Sequence, residues 1–402
     1  MTSIKIADRL NRIEQSASSL ASQKARAMRA EGRDVIALSA GEPDFATPDH
    51  VIDAAFEAAR QGQTRYTNAA GTPELKQAII AKFKRENDLD YTEDEVMAST
   101  GGKQAIFNSL VATVEAGDEV IIPAPYWISY VDITKFAGGI PVIVPCAVEN
   151  DFKLTPELLE ASITPKTRWL ILNSPSNPCG AVYSADDLRA LADVLVRYPD
   201  IAIFSDDIYE HIIYDDFEFA TIAAVAPELK DRTVTMNGAS KVYAMTGWRM
   251  GYCGAPATLV KQMTKLQQQT TGCASAISQA AAVAALSGPQ DFVQERTARF
   301  QERRDMVVSM INQARGLKCP VPKGAFYVFP SCADLIGKKT PDGKVIETDQ
   351  DLTLYFLESE GVAVVHGGAY GMSPFFRISF AASDDELREA CERIQRACAS
   401  LI

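Results

Sequence analysis

Lys241 lies in the stretch NGASKVYAMTGWRMGY (237–252), among Asn, Gly, Ala and Ser, with Arg249 eight residues further on. A lysine wedged between small residues is poorly placed for a solvated surface. Near other cations its pKa falls, and the neutral amine then acts as a nucleophile or as a base near neutral pH. The three histidines, His50, His211 and His366, are far apart in sequence, with no HExxH pattern, and the eight cysteines form no CxxC pair. A metal centre and histidine-based proton transfer are therefore not expected, which leaves lysine as the natural proton carrier.

Other polar residues fall at the ends of short apolar runs. RWLILN (168–173) ends in Asn173 and leads to Asn177; IAIFSD (201–206) ends in Asp206 and leads to Asp207 and Tyr209; TVTMN (233–237) leads to Ser240 and Lys241. Taken singly, an Asp after a strand is often a helix cap and Asn-Pro is often a turn. Three such ends together point to a site, because open α/β sheets bind ligands at the carboxyl ends of their strands. GGKQA (101–105) sets Gly101 and Gly102 before a helix, where the backbone can approach an anion, although glycine is common there for turn reasons alone. Arg249 would add a side-chain contact to the same anion; its ordinary reading is a surface residue, but Trp248 and Met250 beside it point to a partly buried setting. PAPYWISY (123–130) presents Tyr126, Trp127 and Tyr130, which are either core or a plate for a flat ring. An anion cradle, an aromatic plate, a carboxylate, a phenol, a carboxamide and a lysine are together what a flat, phosphorylated, nitrogen-containing aldehyde would use. Pyridoxal phosphate has that chemistry: its aldehyde condenses with a lysine amine, and its ring nitrogen needs an acidic partner.

The elements that must position these residues are legible in the middle of the chain. EVIIP (119–123), IPVIVPC (140–146), RWLILN, IAIFSD, TVTMN and MGYCGAP (250–256) read as strands, and EVMAST before GGKQA is strand-like. Helical patterns such as KQAIFNSLVATVEAG (103–117) and SADDLRALADVLVRY (184–198), the latter with a Ser N-cap, lie between several of them. The alternation predicts an α/β domain around a mostly parallel sheet covered on both faces. After about residue 305 the pattern changes. A long amphipathic helix (296–314) precedes GAFYVFPS (324–331), GVAVVH (361–366) and FFRISFA (375–381), which are separated by helices such as QDLTLYFLESE (350–360). We expect residues 49–304 to form a large domain. Residues 305–402, with the N-terminal segment 1–48, are expected to form a smaller, discontinuous α+β domain. A chain of 402 residues exceeds the usual size of one core.

Composition sets the remaining bounds. Forty basic against 52 acidic residues give a net charge of −12, a poor basis for nucleic-acid binding. The first ten residues, MTSIKIADRL, have no apolar h-region or small-residue cleavage site, and no stretch is long and apolar enough to span a bilayer, so a cytoplasmic protein with free, mostly buried thiols is expected.

The lysine stretch resembles the signature of class I, fold-type I pyridoxal-phosphate-dependent aminotransferases, and the resemblance runs along nearly the whole chain. AGEPDF (40–45), YTNAAGTPELKQAI (66–79), GGKQAIFN, PYWISY, NSPSNPCGAVY (173–183), SDDIYEH (205–211), GAFYVFP and FFRISF follow in the family's order. The bacterial aspartate and aspartate–prephenate subgroup is the nearest in kind. The resemblance implies a seven-stranded, mostly parallel sheet and a homodimer with shared sites. It implies that Lys241 is the Schiff-base lysine and proton shuttle, that Asp206 pairs with the ring nitrogen, and that Tyr209 and Asn177 bond the ring hydroxyl oxygen. Trp127 would stack on the ring. Gly102, Lys103, Ser240 and Arg249 would hold the phosphate, with Tyr66 reaching the neighbouring subunit's phosphate. Arg377 would clamp the substrate α-carboxylate, and Gly41 would offer a backbone contact to substrate, which Trp127 and Asn177 also line. Lys103 has a second implied role, meeting the side-chain carboxylate of a dicarboxylic substrate.

The chain departs from the family pattern at Cys179 in NPCG, at Ser18 and Ser19 in SASSLAS (16–22), and at Gly368 and Tyr370 in HGGAYG (366–371). Cys179 borders its loop and is expected to change little; the other four positions bear on substrate choice and leave the cofactor chemistry untouched. The expected reaction is a ping-pong transamination between an L-amino acid, aspartate first, and 2-oxoglutarate or oxaloacetate. Aromatic or glutamate–prephenate transamination is the alternative; a pyridoxal-dependent carbon–sulfur lyase and a cofactor-binding regulator are the rivals.

Overall fold

The computed structural model describes residues 4–402; the first three residues of the N-terminal segment 1–48 lie outside them. In chain order a short strand β1 (Ile36–Ala37) comes first, then the strands of the central sheet: β2 (Val96–Ser99), β3 (Glu119–Ala124), β4 (Ile140–Pro145), β5 (Thr167–Asn173), β6 (Ala202–Asp206), β7 (Thr233–Gly238) and β8 (Gly251–Gly254). Their order is β2-β8-β7-β6-β5-β3-β4, and only β8 runs against the others. This is the seven-stranded, mostly parallel α/β sheet that was expected.

Side chains of the parallel strands alternate between two helical layers, as a period of two requires. Val120, Ile122, Trp169, Ile171 and Phe204 pack with Ile106 and Leu110 of the helix Gly102–Thr113. Ile121, Leu170, Leu172 and Ile203 pack with Leu188, Leu191 and Leu195 of the helix Ala185–Leu195. That second helix begins as predicted: Ser184 Oγ accepts from the Asp187 amide at 3.1 Å, and Asp187 Oδ2 accepts from the Ser184 amide at 2.9 Å.

The C-terminal strands are shorter than the apolar runs implied. GAFYVFPS contributes only β9 (Tyr327–Val328), and GVAVVH divides into β10 (Val362–Ala363) and β11 (Val365–His366), followed by β12 (Phe376–Ser379). Strands β11, β12 and β9 form an antiparallel sheet, while β10 pairs in parallel with β1. Ile36 and Leu38 of the N-terminal segment thereby enter the core formed by Phe326, Phe356, Phe376 and Ile394. The position 304/305 falls inside one continuous helix, Asp291–Asn312.

Candidate active site

The carboxyl ends of β5, β6 and β7 lie side by side, with Asn173 opposite Asp206 and Asp206 opposite Met236. β3 runs parallel to β5, so its end delivers Trp127 and Tyr130 to the same edge. These ends line one cavity of about 280 Å³, whose wall includes Lys241, Asp206, Tyr209, Asn177, Trp127 and Arg377.

Asp206 is 4% exposed. One of its carboxylate oxygens accepts from the Tyr130 hydroxyl, and Asn173 Nδ2 donates to its main-chain carbonyl at 2.9 Å. Burial pushes its pKa up to about 6, against the pull of the Tyr130 bond and the charge of Lys241. Lys241 Nζ donates to the Gly41 carbonyl at 2.6 Å and lies 5.4 Å from the centre of the Tyr209 ring. Burial brings its pKa down to about 8, helped by Arg377 and opposed by Asp206. The Tyr209 and Tyr327 hydroxyls share a hydrogen bond of 2.8 Å, and burial drives the Tyr209 phenol far above its ordinary range.

At the start of the helix Gly102–Thr113, Gly101 has φ +81°, a left-handed conformation that favours glycine. A Cβ there would lie 2.5 Å from Arg249 Nη2. The first amides of such a helix have no intrahelical partner, and its first two residues, Gly102 and Lys103, line the cavity together with buried Ser240. Arg249, itself left-handed at φ 55°, donates through Nη1 to the Thr246 carbonyl at 2.8 Å. It is exposed, so the partly buried setting expected from Trp248 and Met250 does not hold: Met250 is buried, and Trp248 is only half-buried. Lys103 Nζ rests 5.0 Å from the centre of the Trp127 ring; its pKa is lowered by desolvation and by the charge of Arg249.

Arg377 is 3% exposed and lies between two aromatic rings, 4.6 Å from Tyr327 and 5.2 Å from Tyr370. Nη1 donates to Asn177 Oδ1 at 2.9 Å and Nη2 to the Ser39 carbonyl at 2.5 Å. Its buried Nε has no hydrogen-bond partner among the described residues.

A family profile described as "Aminotransferase class I and II" matches residues 33–394. The chain belongs to this aminotransferase family. It is 56% identical over 393 residues, 98% of each chain, to a probable aspartate/prephenate aminotransferase of Rhizobium leguminosarum bv. phaseoli. It is 57% identical over 375 residues to an aspartate aminotransferase of Rhizobium meliloti strain 1021, covering 93% of this chain and 92% of that one. A crystal structure of the Rhizobium meliloti aspartate aminotransferase superposes with a TM-score of 0.97 at 55% identity, covering 100% of both chains. The Thermus thermophilus aspartate aminotransferase with maleate superposes with a TM-score of 0.90 at 38% identity, covering 98% of this chain and 100% of that one. The chain is a transaminase, and its fold is that of the fold-type I aminotransferases.

In this aminotransferase, Gly41, Gly102, Lys103, Trp127, Asn177, Asp206, Tyr209, Ser240, Lys241, Arg249 and Arg377 all line the one cavity. Tyr66 does not; it is 99% exposed on the single chain. Three further contributors to the site carry little signal in the sequence. Tyr130 stood in PYWISY, but nothing local distinguishes an aromatic that bonds Asp206 from one that fills the core. Tyr327 stood in GAFYVFP, and its signal was only its place in that motif. Ser39 contributes a main-chain carbonyl, which carries no side-chain signal at all.

Proposed function

We propose that this transaminase moves the amino group of aspartate to a 2-oxo acid, 2-oxoglutarate or oxaloacetate, in ping-pong order with pyridoxal 5'-phosphate as cofactor. The observation that carries the reading is the convergence of Lys241, Asp206, Arg377 and Lys103 on one cavity. The residues fit the cofactor. The cradle holds Gly101 in a left-handed conformation at φ +81°, the carboxylate is buried, and a flat indole lies against Lys103 in the first turn of the helix. Pyridoxal phosphate, when bound, supplies an aldehyde that condenses with amines and a ring that withdraws electrons.

The chain's own residues then divide the work. Lys241 Nζ would hold the aldehyde end and, once free, would take and return the substrate α-proton; a pKa lowered to about 8 makes its amine neutral well below an ordinary lysine's range. Asp206 would pair with the ring nitrogen, and a cation beside it would bring its pKa back down. Tyr209 and Asn177 would bond the ring hydroxyl, and Trp127 would supply the aromatic plate for the ring. Gly102, Lys103, Ser240 and Arg249 would hold the phosphate. Arg377 is the cation for the α-carboxylate: it lines the cavity, and the Tyr327 and Tyr370 rings with the Asn177 and Ser39 bonds hold its guanidinium in place. Gly41 closes over the substrate with its main chain. Lys103 is a second cation for a second carboxylate, which favours a dicarboxylic donor.

Exposed Tyr66 suits a reach into a partner's cavity, so the functional unit is read as a homodimer. The pairing of β1 with β10 supports a smaller domain made of residues 1–48 and 305–402 around the large domain 49–304, joined through the helix Asp291–Asn312. No described helix is long and apolar enough to cross a membrane, and the eight thiols are free, which suits the cytoplasm.

Prephenate as acceptor is a second reading, favoured by the name of the R. leguminosarum relative. The deciding test is a panel of amino donors with 2-oxoglutarate, and of acceptors including prephenate, on wild type and Lys103→Ala. Selective loss of about tenfold or more in kcat/KM for dicarboxylic donors supports the assignment of Lys103. Equal loss for every donor moves Lys103 to the cofactor alone.

A further inference from the structure

Next to the turn that carries Tyr209 lies a buried charge cluster, and none of its members lines the cavity. Its centre is Lys82, 0% exposed, on the helix Pro73–Asn87. Lys82 Nζ donates to a Glu210 carboxylate oxygen and, at 2.7 Å, to Asn87 Oδ1; it lies 3.5 Å from Glu86 Oε2. Asn87 Nδ2 closes the ring by donating to the other Glu210 oxygen at 2.7 Å. His211 Nε2 is 2.9 Å from Glu86 Oε2, and Arg85 pairs with the other oxygen of Glu86. Burial alone would raise both carboxyl groups. The bonds and charges of His211 and Lys82 outweigh it, holding Glu86 at about 2 and Glu210 below its ordinary range. Glu86, Glu210 and His211 have donor atoms close enough together to chelate a metal, but the Lys82 ammonium already engages those carboxylates.

The cluster adjoins two loops of the active site. Tyr209 sends its ring to the cavity and to Tyr327, while the next residue, Glu210, sends its carboxylate to Lys82. The intervening turn is closed by the Glu210 amide donating to the Asp207 carbonyl at 2.9 Å and the Ile212 amide to the Tyr209 carbonyl at 2.8 Å. The His211 ring packs edge-on against Tyr243, two residues beyond Lys241, at 6.2 Å between centres. A buried ion pair adds little net stability over well-packed apolar residues of the same volume. What it supplies is direction: both Glu210 oxygens are held by fixed donors.

We propose that Lys82 is a positioning residue for the reaction, acting through Glu210 to set how Asp206 and Tyr209 meet the cofactor, and through His211 and Tyr243 to steady the segment carrying Lys241. This rests on the assignment of those residues as cofactor contacts. The test uses the charge-balanced double variant Lys82→Met/Glu210→Gln, the single variant Lys82→Arg, and wild type. Thermal unfolding of each holoenzyme reports stability, and steady-state kinetics separates kcat from KM. Fluorescence titration of the cofactor-free proteins with pyridoxal phosphate reports affinity. The double variant is expected to fold with kcat and cofactor affinity each lowered about tenfold and the donor KM within twofold of wild type, as for a supporting residue that orients a direct contact. Lys82→Arg is expected to recover most of both. A folded double variant with wild-type kcat and affinity overturns the proposal. If the double variant does not fold, His211→Gln at the cluster's margin is expected to give the same pattern at about threefold; wild-type values in that variant overturn it equally. Wild-type protein that fails to bind pyridoxal phosphate would instead sink the functional reading, a result distinct from either of these.

Discussion

Two sides of the cavity are built by different means. On one side, Asp206, Tyr209 and Lys241 leave neighbouring strands β6 and β7 within a few residues of the strand ends, and the sheet's own register aligns them. On the other side, Arg377 is held by Asn177 and by the Ser39 carbonyl, 200 and 338 positions away along the chain. The first side is set by backbone pairing among buried strands, and local changes there act on the chemistry. The second is assembled from three distant segments, so its geometry depends on how the N-terminal and C-terminal parts close together. On the proposed assignment, chemistry sits on the strand-end side and substrate recognition on the assembled side, an arrangement that would let one scaffold keep its reaction while its substrate changes.

Breaking the strand-end side should cost most. Lys241→Ala is expected to lower turnover by on the order of 10⁴-fold or more, because the proposed covalent anchor and proton carrier are one residue. Single-turnover and steady-state assays check it, and turnover near the wild-type rate would refute the assignment. On the assembled side, Arg377→Gln removes a buried charge that two rings and two acceptors hold. It is expected to lower kcat/KM by about 10²- to 10³-fold for every donor, mostly through KM, while cofactor affinity in a fluorescence titration stays within about threefold. Loss of cofactor affinity as large as the kinetic loss would erase the distinction between the two sides.

The pH dependence of cofactor capture sharpens the comparison further. The folded-state pKa of Lys241 is lowered to about 8 from 10.5, so its amine is neutral above about pH 8, where an ordinary lysine is still protonated. Only the neutral amine attacks an aldehyde, so the rate of pyridoxal phosphate capture by cofactor-free protein should rise with pH and level off above about 8. A midpoint near 10 in stopped-flow absorbance would mean that the cavity does not desolvate the lysine. The smallest effect belongs to the departures from the family pattern. Ser18 Oγ and the Tyr370 hydroxyl are 3.4 Å apart, a long bond, so Tyr370→Phe should change kcat/KM for aspartate by only about twofold. A change of tenfold or more would make this pair a determinant of substrate choice.

Much of the strand-end side was legible because strand ends are local. An apolar run that stops at Asn173 or Asp206 announces both the strand and the residue that leaves it, and a Ser184 cap announces the helix that follows. The C-terminal runs misled by length. GAFYVFPS and GVAVVH are apolar because they are buried in a packed lobe, not because every residue pairs in a sheet, so they give strands of two residues each. The neighbours of Arg249 in sequence suggest a partly buried residue, but its side chain is exposed on the cavity wall, bonded to the Thr246 carbonyl.

Residue order and type by themselves determined the family, the α/β alternation and the lysine, carboxylate and arginine proposed for the reaction, because each depends on spacing along the chain. The tertiary structure alone decided that Tyr130 bonds Asp206, that Tyr327 and Tyr370 enclose Arg377, and that Lys82 reaches across 128 positions to Glu210. Those contacts join segments far apart in sequence, and their energies depend on burial and direction, which no one-dimensional pattern carries.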